Sequence, residues 1–131
     1  MFRLHHIGCL VDDLESSKKN YRKLFGFSNI SDTIHVPSQK VFVCFIEIGN
    51  DIYLELIQPE KDSPLLKYRQ KNVDYYHLSY LVKNIDAVVD DFQTAGSIVI
   101  TSFASEGFDH RKAVFLLTPE RQLIELIEDK S

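Results

Sequence analysis

Tyr76-His77-Leu78-Ser79-Tyr80-Leu81-Val82-Lys83-Asn84-Ile85 decides the fold of this chain, because an earlier stretch follows the same plan. That stretch is His5-His6-Ile7-Gly8-Cys9-Leu10-Val11-Asp12-Asp13-Leu14. In register, His6 falls on His77, Ile7 on Leu78, Leu10 on Leu81, Val11 on Val82 and Leu14 on Ile85. In both copies a histidine opens a strand-like apolar run, and a polar pair then starts an amphipathic helix. A second echo lies downstream, where Tyr53-Leu54-Glu55-Leu56-Ile57 returns as Leu123-Ile124-Glu125-Leu126-Ile127. The repeat predicts two related half-chains, modules 1–72 and 73–131 of a single α+β domain. Each contributes one histidine and one glutamate from a strand.

The intervening sequence completes a β-α-β-β-β plan in each half. Residues 3–11 read as a buried strand. Asp12 or Asp13 then caps a helix, with Glu15 placed to close a capping box and Gly26 to end it. Residues 27–36 are polar and broken, a weak edge strand, and Pro37-Ser38-Gln39 is a turn. Segments 41–48 and 52–57 form a hairpin around Gly49-Asn50-Asp51. Ser63-Pro64 opens a short helix to about Gln70. In the second copy, 75–82 is a strand and Asn84 a helix cap. Ile85, Val88, Val89, Phe92 and Ala95 make one apolar face, and Gly96 stops the helix. Residues 97–102 form a strand, 103–111 a mobile loop, and 113–117 with 122–127 a last hairpin.

Composition limits the partners. With 131 residues the chain is long enough to bury a core without staples, and 44% apolar with 26% charged residues is ordinary for a soluble globular protein. A net charge of -4 with a pI near 5.7 argues against the basic stripe that nucleic acid requires. No apolar run approaches the ~18 residues of a membrane span, and the start lacks a secretory leader pattern. Cys9 and Cys44 sit inside apolar strands, which reads as buried reduced thiols in a cytoplasmic protein.

Residues two apart on a strand share a face. His6, Gly8 and Leu10 therefore point one way on the first strand, and His77, Ser79 and Leu81 on its copy. Glu55 and Glu125 each have leucine or isoleucine on both sides. A carboxylate in an apolar strand is expensive to bury unless something pairs with it. Two imidazoles and two carboxylates suit a divalent first-row ion with open coordination positions, so His6, Glu55, His77 and Glu125 are the candidate metal ligands. A lone histidine or glutamate on a strand more often has a structural role, but that reading does not account for both recurring at nearly the same offset, 71 and 70 residues. His5 is expected on the opposite face, structural or exposed. His35 is expected in solvent, and His110 near enough to a ligand to be considered. Tyr75-Tyr76 is expected to pack.

His6-Ile7-Gly8, then Asp12-Asp13-Leu14 and a helix ending Leu24-Phe25-Gly26-Phe27, resembles the opening of the vicinal oxygen chelate superfamily. That group contains glyoxalase I, extradiol dioxygenases, bleomycin-resistance proteins and methylmalonyl-CoA epimerase. The resemblance covers essentially the whole chain and implies tandem β-α-β-β-β modules forming an open half-barrel. Glu55-Leu56-Ile57-Gln58-Pro59, Asp62-Ser63-Pro64 and Tyr76-His77-Leu78 look most like the epimerase. The ligands of that family fall on His6, Glu55, His77 and Glu125. The resemblance implies one divalent ion (cobalt, nickel, manganese or zinc), proton abstraction next to a carbonyl with Glu125 as base, an acyl-CoA or other thioester or thiol-adduct substrate, and a homodimer. Two positions depart from the pattern. Similar epimerases carry a second carboxylate near Val43, which leaves Glu47, of the same strand parity, as the candidate second base. The glycine-rich loop of the family is here the bulkier Glu106-Gly107-Phe108-Asp109-His110-Arg111-Lys112. Alternatives are a glyoxalase I-like lyase and a metal-free binding module. A dioxygenase would want two histidines and one carboxylate around iron, and the fourth ligand argues against it.

Overall fold

The computed structural model describes residues 2–130. In chain order the elements are β1 (Phe2–Leu10), α1 (Leu14–Phe25), β2 (Ile34–Val36), β3 (Val41–Gly49), β4 (Ile52–Pro59), α2 (Leu66–Gln70), β5 (Tyr75–Val82), α3 (Ile85–Thr94) and β6 (Ile98–Ser105), then a 3-10 turn (Glu106–Phe108), β7 (Arg111–Leu117) and β8 (Leu123–Glu128). The strands form one curled sheet in the order β2-β3-β4-β1-β5-β8-β7-β6, a half-barrel. Counted outward from the centre, β1 matches β5, β4 matches β8, β3 matches β7 and β2 matches β6. The two central strands run antiparallel, while β1–β4 and β5–β8 are parallel.

Both faces of the sheet are apolar, which explains why its strands read as near-continuous hydrophobic runs. The convex face packs Cys9, Cys44, Ile46 and Leu56 under α1, and Val82, Val114, Leu116 and Leu126 under α3. The concave face carries Leu10, Val41, Val43 and Ile57 in one half, and Leu81, Ala113 and Ile127 in the other. Both cysteines are free and buried. Among the described residues, no helix is long and apolar enough to cross a membrane.

Local chemistry narrows or corrects the sequence reading at three places. Asp13 rather than Asp12 is the N-cap of α1, accepting from the Ser16 backbone N–H at 3.2 Å, and Glu15 turns outward to Thr33 and Lys18 instead of closing a box. Asn84 precedes α3 in a left-handed conformation (φ 55°) without capping through its side chain, a backbone state that asparagine tolerates better than most residues. The segment expected to be a mobile loop is largely ordered structure: β6 runs on to Ser105, and the 3-10 turn folds inward. Glu106 holds that turn by accepting from Ser38 Oγ at 2.8 Å and from the Ser38 backbone N–H at 3.2 Å.

Candidate metal centre and active site

Strand order and register bring the repeated residues together. Glu55 on β4 pairs with Gly8 on β1, and Gly8 pairs with His77 on β5. In the mirrored row Glu125 on β8 pairs with Ser79 on β5, and Ser79 pairs with His6 on β1. Phe45 ends the first row and Phe115 the second. Two adjacent rows therefore cross the middle of the concave face, each setting a carboxylate two strands away from an imidazole.

The four side chains converge. His6 Nε2 lies 3.1 Å from His77 Nε2, 3.4 Å from Glu55 Oε1 and 3.3 Å from Glu125 Oε1. His77 Nε2 is 3.6 Å from Glu55 Oε1 and 3.4 Å from Glu125 Oε1. Donors held at ~2.1 Å around one ion stand about 3.0–3.4 Å apart in octahedral or tetrahedral arrangement, so this set fits a small divalent cation. The site is also shielded from solvent: His6 is fully buried, and His77 and Glu125 nearly so.

Charge in the site points the same way. Burial alone would lower the His6 pKa, but Glu55 and Glu125 overcome it and raise it to about 9. Burial would likewise raise Glu125, yet its hydrogen bonds to His6 and His77 hold it well below the ordinary carboxylate range. The two carboxylates thus hold positive charge in the site, as a proton on His6 in the metal-free protein. A divalent ion competes for that place.

Gly8 makes room for one ligand. A Cβ there would meet the His77 ring at 2.3 Å, so only glycine lets this imidazole lie across β1. The sequence contained the glycine on the correct face but gave no sign of what lay above it. Phe108 was also missed, being assigned to a loop: its ring stacks on His6 at 5.6 Å and 14° and leaves only about 10 Å³ of open space beside Glu55 and Glu125. His5 corrects another expectation. A bulge between Leu4 and His6, where β1 pairs with β5, turns His5 toward the site instead of away from it. Its Nδ1 lies 2.9 Å from Nδ1 of His6. Burial first, then the neighbouring His6 and Arg3, lowers its pKa to about 4.

The structure does not bring Glu47 to the cluster. It lies two positions beyond Phe45 on β3, and its Oε1 accepts from Asn29 Nδ2 at 2.6 Å. Val43 is buried and lines the narrow space beside Glu55 and Glu125. His35 stacks on Phe42 and pairs with Glu60, while His110 is exposed in the turn before β7. Tyr75 is exposed, whereas Tyr76 packs edge-on against His77. Tyr76 and Phe115 also separate the cluster from a cavity of about 450 Å³ with an apolar lining that includes Tyr68, Val73, Ile100 and Leu123. None of its lining residues is charged.

The family model for the glyoxalase/bleomycin resistance protein/dioxygenase superfamily matches residues 5–115, which contain three of the four converging residues and most of the sheet. The chain belongs to this superfamily. Within the superfamily, it is 33% identical over 90% of its length to the mitochondrial methylmalonyl-CoA epimerase of Mus musculus, and spans 66% of that protein. It is 31% identical over 90% of its length to the ethylmalonyl-CoA/methylmalonyl-CoA epimerase of Cereibacter sphaeroides, covering 89% of it. A Streptomyces coelicolor methylmalonyl-CoA epimerase variant, solved with 2-nitronate-propionyl-CoA, superposes with a TM-score of 0.84 at 26% identity. That alignment covers 98% of each chain. These superfamily relatives are enzymes, and they support an epimerase-like function here.

Proposed function

We propose that this chain is a metal-dependent epimerase that removes and returns the proton next to the carbonyl of an acyl thioester, a methylmalonyl-CoA-like substrate. The observation that carries this reading is the convergence of two histidines and two glutamates at 3.1–3.6 Å on the concave face. His6, Glu55, His77 and Glu125 would hold one divalent ion, of which cobalt, nickel, manganese and zinc all suit the donors. When bound, the ion supplies Lewis acidity toward the thioester carbonyl oxygen.

The residues of the chain do the rest. Glu125, ionised and buried, takes the α-proton as general base. Inverting the carbon needs a second group on the opposite face of the planar intermediate. Glu47 is engaged by Asn29 outside the cluster, so that role falls to Glu55, which approaches the two imidazoles from the other side of the β1–β5 pair. The apolar cavity beyond Tyr76 and Phe115 is of a size that suits small-molecule sites, and it would take a part of the substrate remote from the reacting carbon. A glyoxalase I-like lyase would share this metal set, but the likeness to epimerases favours epimerisation.

The assembly we propose is a homodimer, in which a partner covers an open sheet edge at β2 or β6. The activity is tested by incubating the metal-loaded protein with each stereoisomer of methylmalonyl-CoA in deuterated water. Deuterium should enter the α-position and both stereoisomers should appear. Absence of exchange from either stereoisomer would refute the reading.

A further inference from the structure

The two histidines are related by the repeat but are not held alike. We propose that His5 is a positioning residue for the metal centre: it accepts a hydrogen bond from Nδ1 of His6 and so presents the His6 Nε2 lone pair to the ion. The inference rests on the metal-binding reading above.

A contact of 2.9 Å between two ring nitrogens requires one to donate and one to accept. Nε2 of His6 faces His77, Glu55 and Glu125, and as a ligand it carries no proton. The single proton of the neutral ring is then on Nδ1, which donates to Nδ1 of His5. Outer partners of this kind fix the tautomer and orientation of a ligating histidine. His5 is itself held in place. It stacks on Tyr53 at 5.1 Å and 27°, and meets Phe108 edge-on at 5.0 Å and Phe45 at 6.1 Å. The bulge in β1 is what turns it inward.

The second half of the chain provides an internal comparison. Tyr76 stands before His77 as His5 stands before His6, and both pairs meet at 5.2 Å and 86°. Tyr76 offers no ring nitrogen, and Nδ1 of His77 is buried with no hydrogen-bond partner among the described residues. Ring packing is thus common to both halves, while the hydrogen bond belongs to His5 alone. His77 is confined instead by Gly8 beneath it and by Phe115 at 5.1 Å.

The test separates packing from hydrogen bonding. His5→Phe keeps a ring and removes the acceptor, as at Tyr76, while His5→Asn restores an acceptor oxygen near the place of Nδ1. Metal-free wild type and both variants are titrated with Zn²⁺ against a chromophoric chelator, and their thermal midpoints without metal are compared. His5→Phe should bind Zn²⁺ about 10- to 100-fold more weakly, with His5→Asn recovering most of the loss. Nitrogen-15 spectra of zinc-loaded wild type should put the proton on Nδ1 of His6 and on Nε2 of His5. That measurement decides the matter if His5→Phe does not fold. Zinc binding unchanged in His5→Phe, or the opposite tautomer at His6, overturns this inference and leaves the metal centre standing. A wild-type protein that binds no zinc overturns both.

Discussion

Replacing Gly8 with alanine should disable the metal centre from beneath. The new Cβ would stand 2.3 Å from Cε1 of His77, 2.4 Å from Nδ1 and 3.0 Å from Nε2. Carbon atoms make comfortable contact from about 3.5 Å, so the ring must retreat by roughly 1 Å. Its way is hindered by Phe115 at 5.1 Å and Tyr76 at 5.2 Å between ring centres. Metal–donor distances tolerate only ~0.2 Å, and a shift of that size therefore takes Nε2 out of the coordination sphere. Four-ligand structural zinc sites bind with about 10–16 kcal/mol, or roughly 3 kcal/mol per ligand, so affinity should fall by about a hundredfold. Crowding should cost the metal-free fold a further ~1–3 kcal/mol, a few degrees or more in Tm. Chelator-competition titration and thermal denaturation of Gly8→Ala, His77→Ala and the double variant measure both effects. Because the alanine acts through the imidazole, the double variant should be no worse than His77→Ala alone. A Gly8→Ala protein with wild-type affinity and Tm, or penalties that simply add in the double variant, would refute the reasoning.

Glu125→Gln should keep much of the metal affinity, since an amide oxygen still coordinates. Its α-proton exchange, followed by mass spectrometry in deuterated water, should fall about 100- to 10,000-fold. Glu55→Gln should still exchange the proton of one stereoisomer while interconverting the two poorly, which chiral chromatography of the products would read. Metal-free stability should depend on pH through His6, whose pKa rises from about 6.5 unfolded to about 9 folded. The stabilisation is complete below 6.5 and lost as pH climbs through 9, on the order of a few kcal/mol. Urea titrations in chelator should show that loss, and saturating metal should remove it. Phe108→Ala should open the space over His6 and accelerate metal uptake in stopped-flow mixing; uptake at the wild-type rate would mean that the 3-10 turn does not limit access.

The duplicated pattern was legible in the sequence because strand and helix periodicities survive duplication, and a histidine or glutamate recurring inside an apolar run has no packing reason to recur. That was enough to name the two halves and the four candidate ligands, His6, Glu55, His77 and Glu125, while the half-barrel was implied by the resemblance to the superfamily. Capping was less legible: Asp12 and Asp13 are chemically interchangeable, and only backbone geometry selects Asp13. The status of Glu47 was not legible either. Strand parity puts it on the concave face, but distance along β3 and its bond to Asn29 remove it from the chemistry.

What the sequence determined by itself, then, is whatever depends on spacing along one strand or helix. Tertiary structure alone decided what depends on register between strands. Gly8 matters because β5 sets His77 above it, Phe108 because its turn folds back over His6, and His5 because a one-residue bulge reverses the face it would otherwise share with Ile7. A side-chain period of two fixes a face only while the ladder is regular. One extra residue in β1 is enough to turn a side chain from the outside of the barrel into its site.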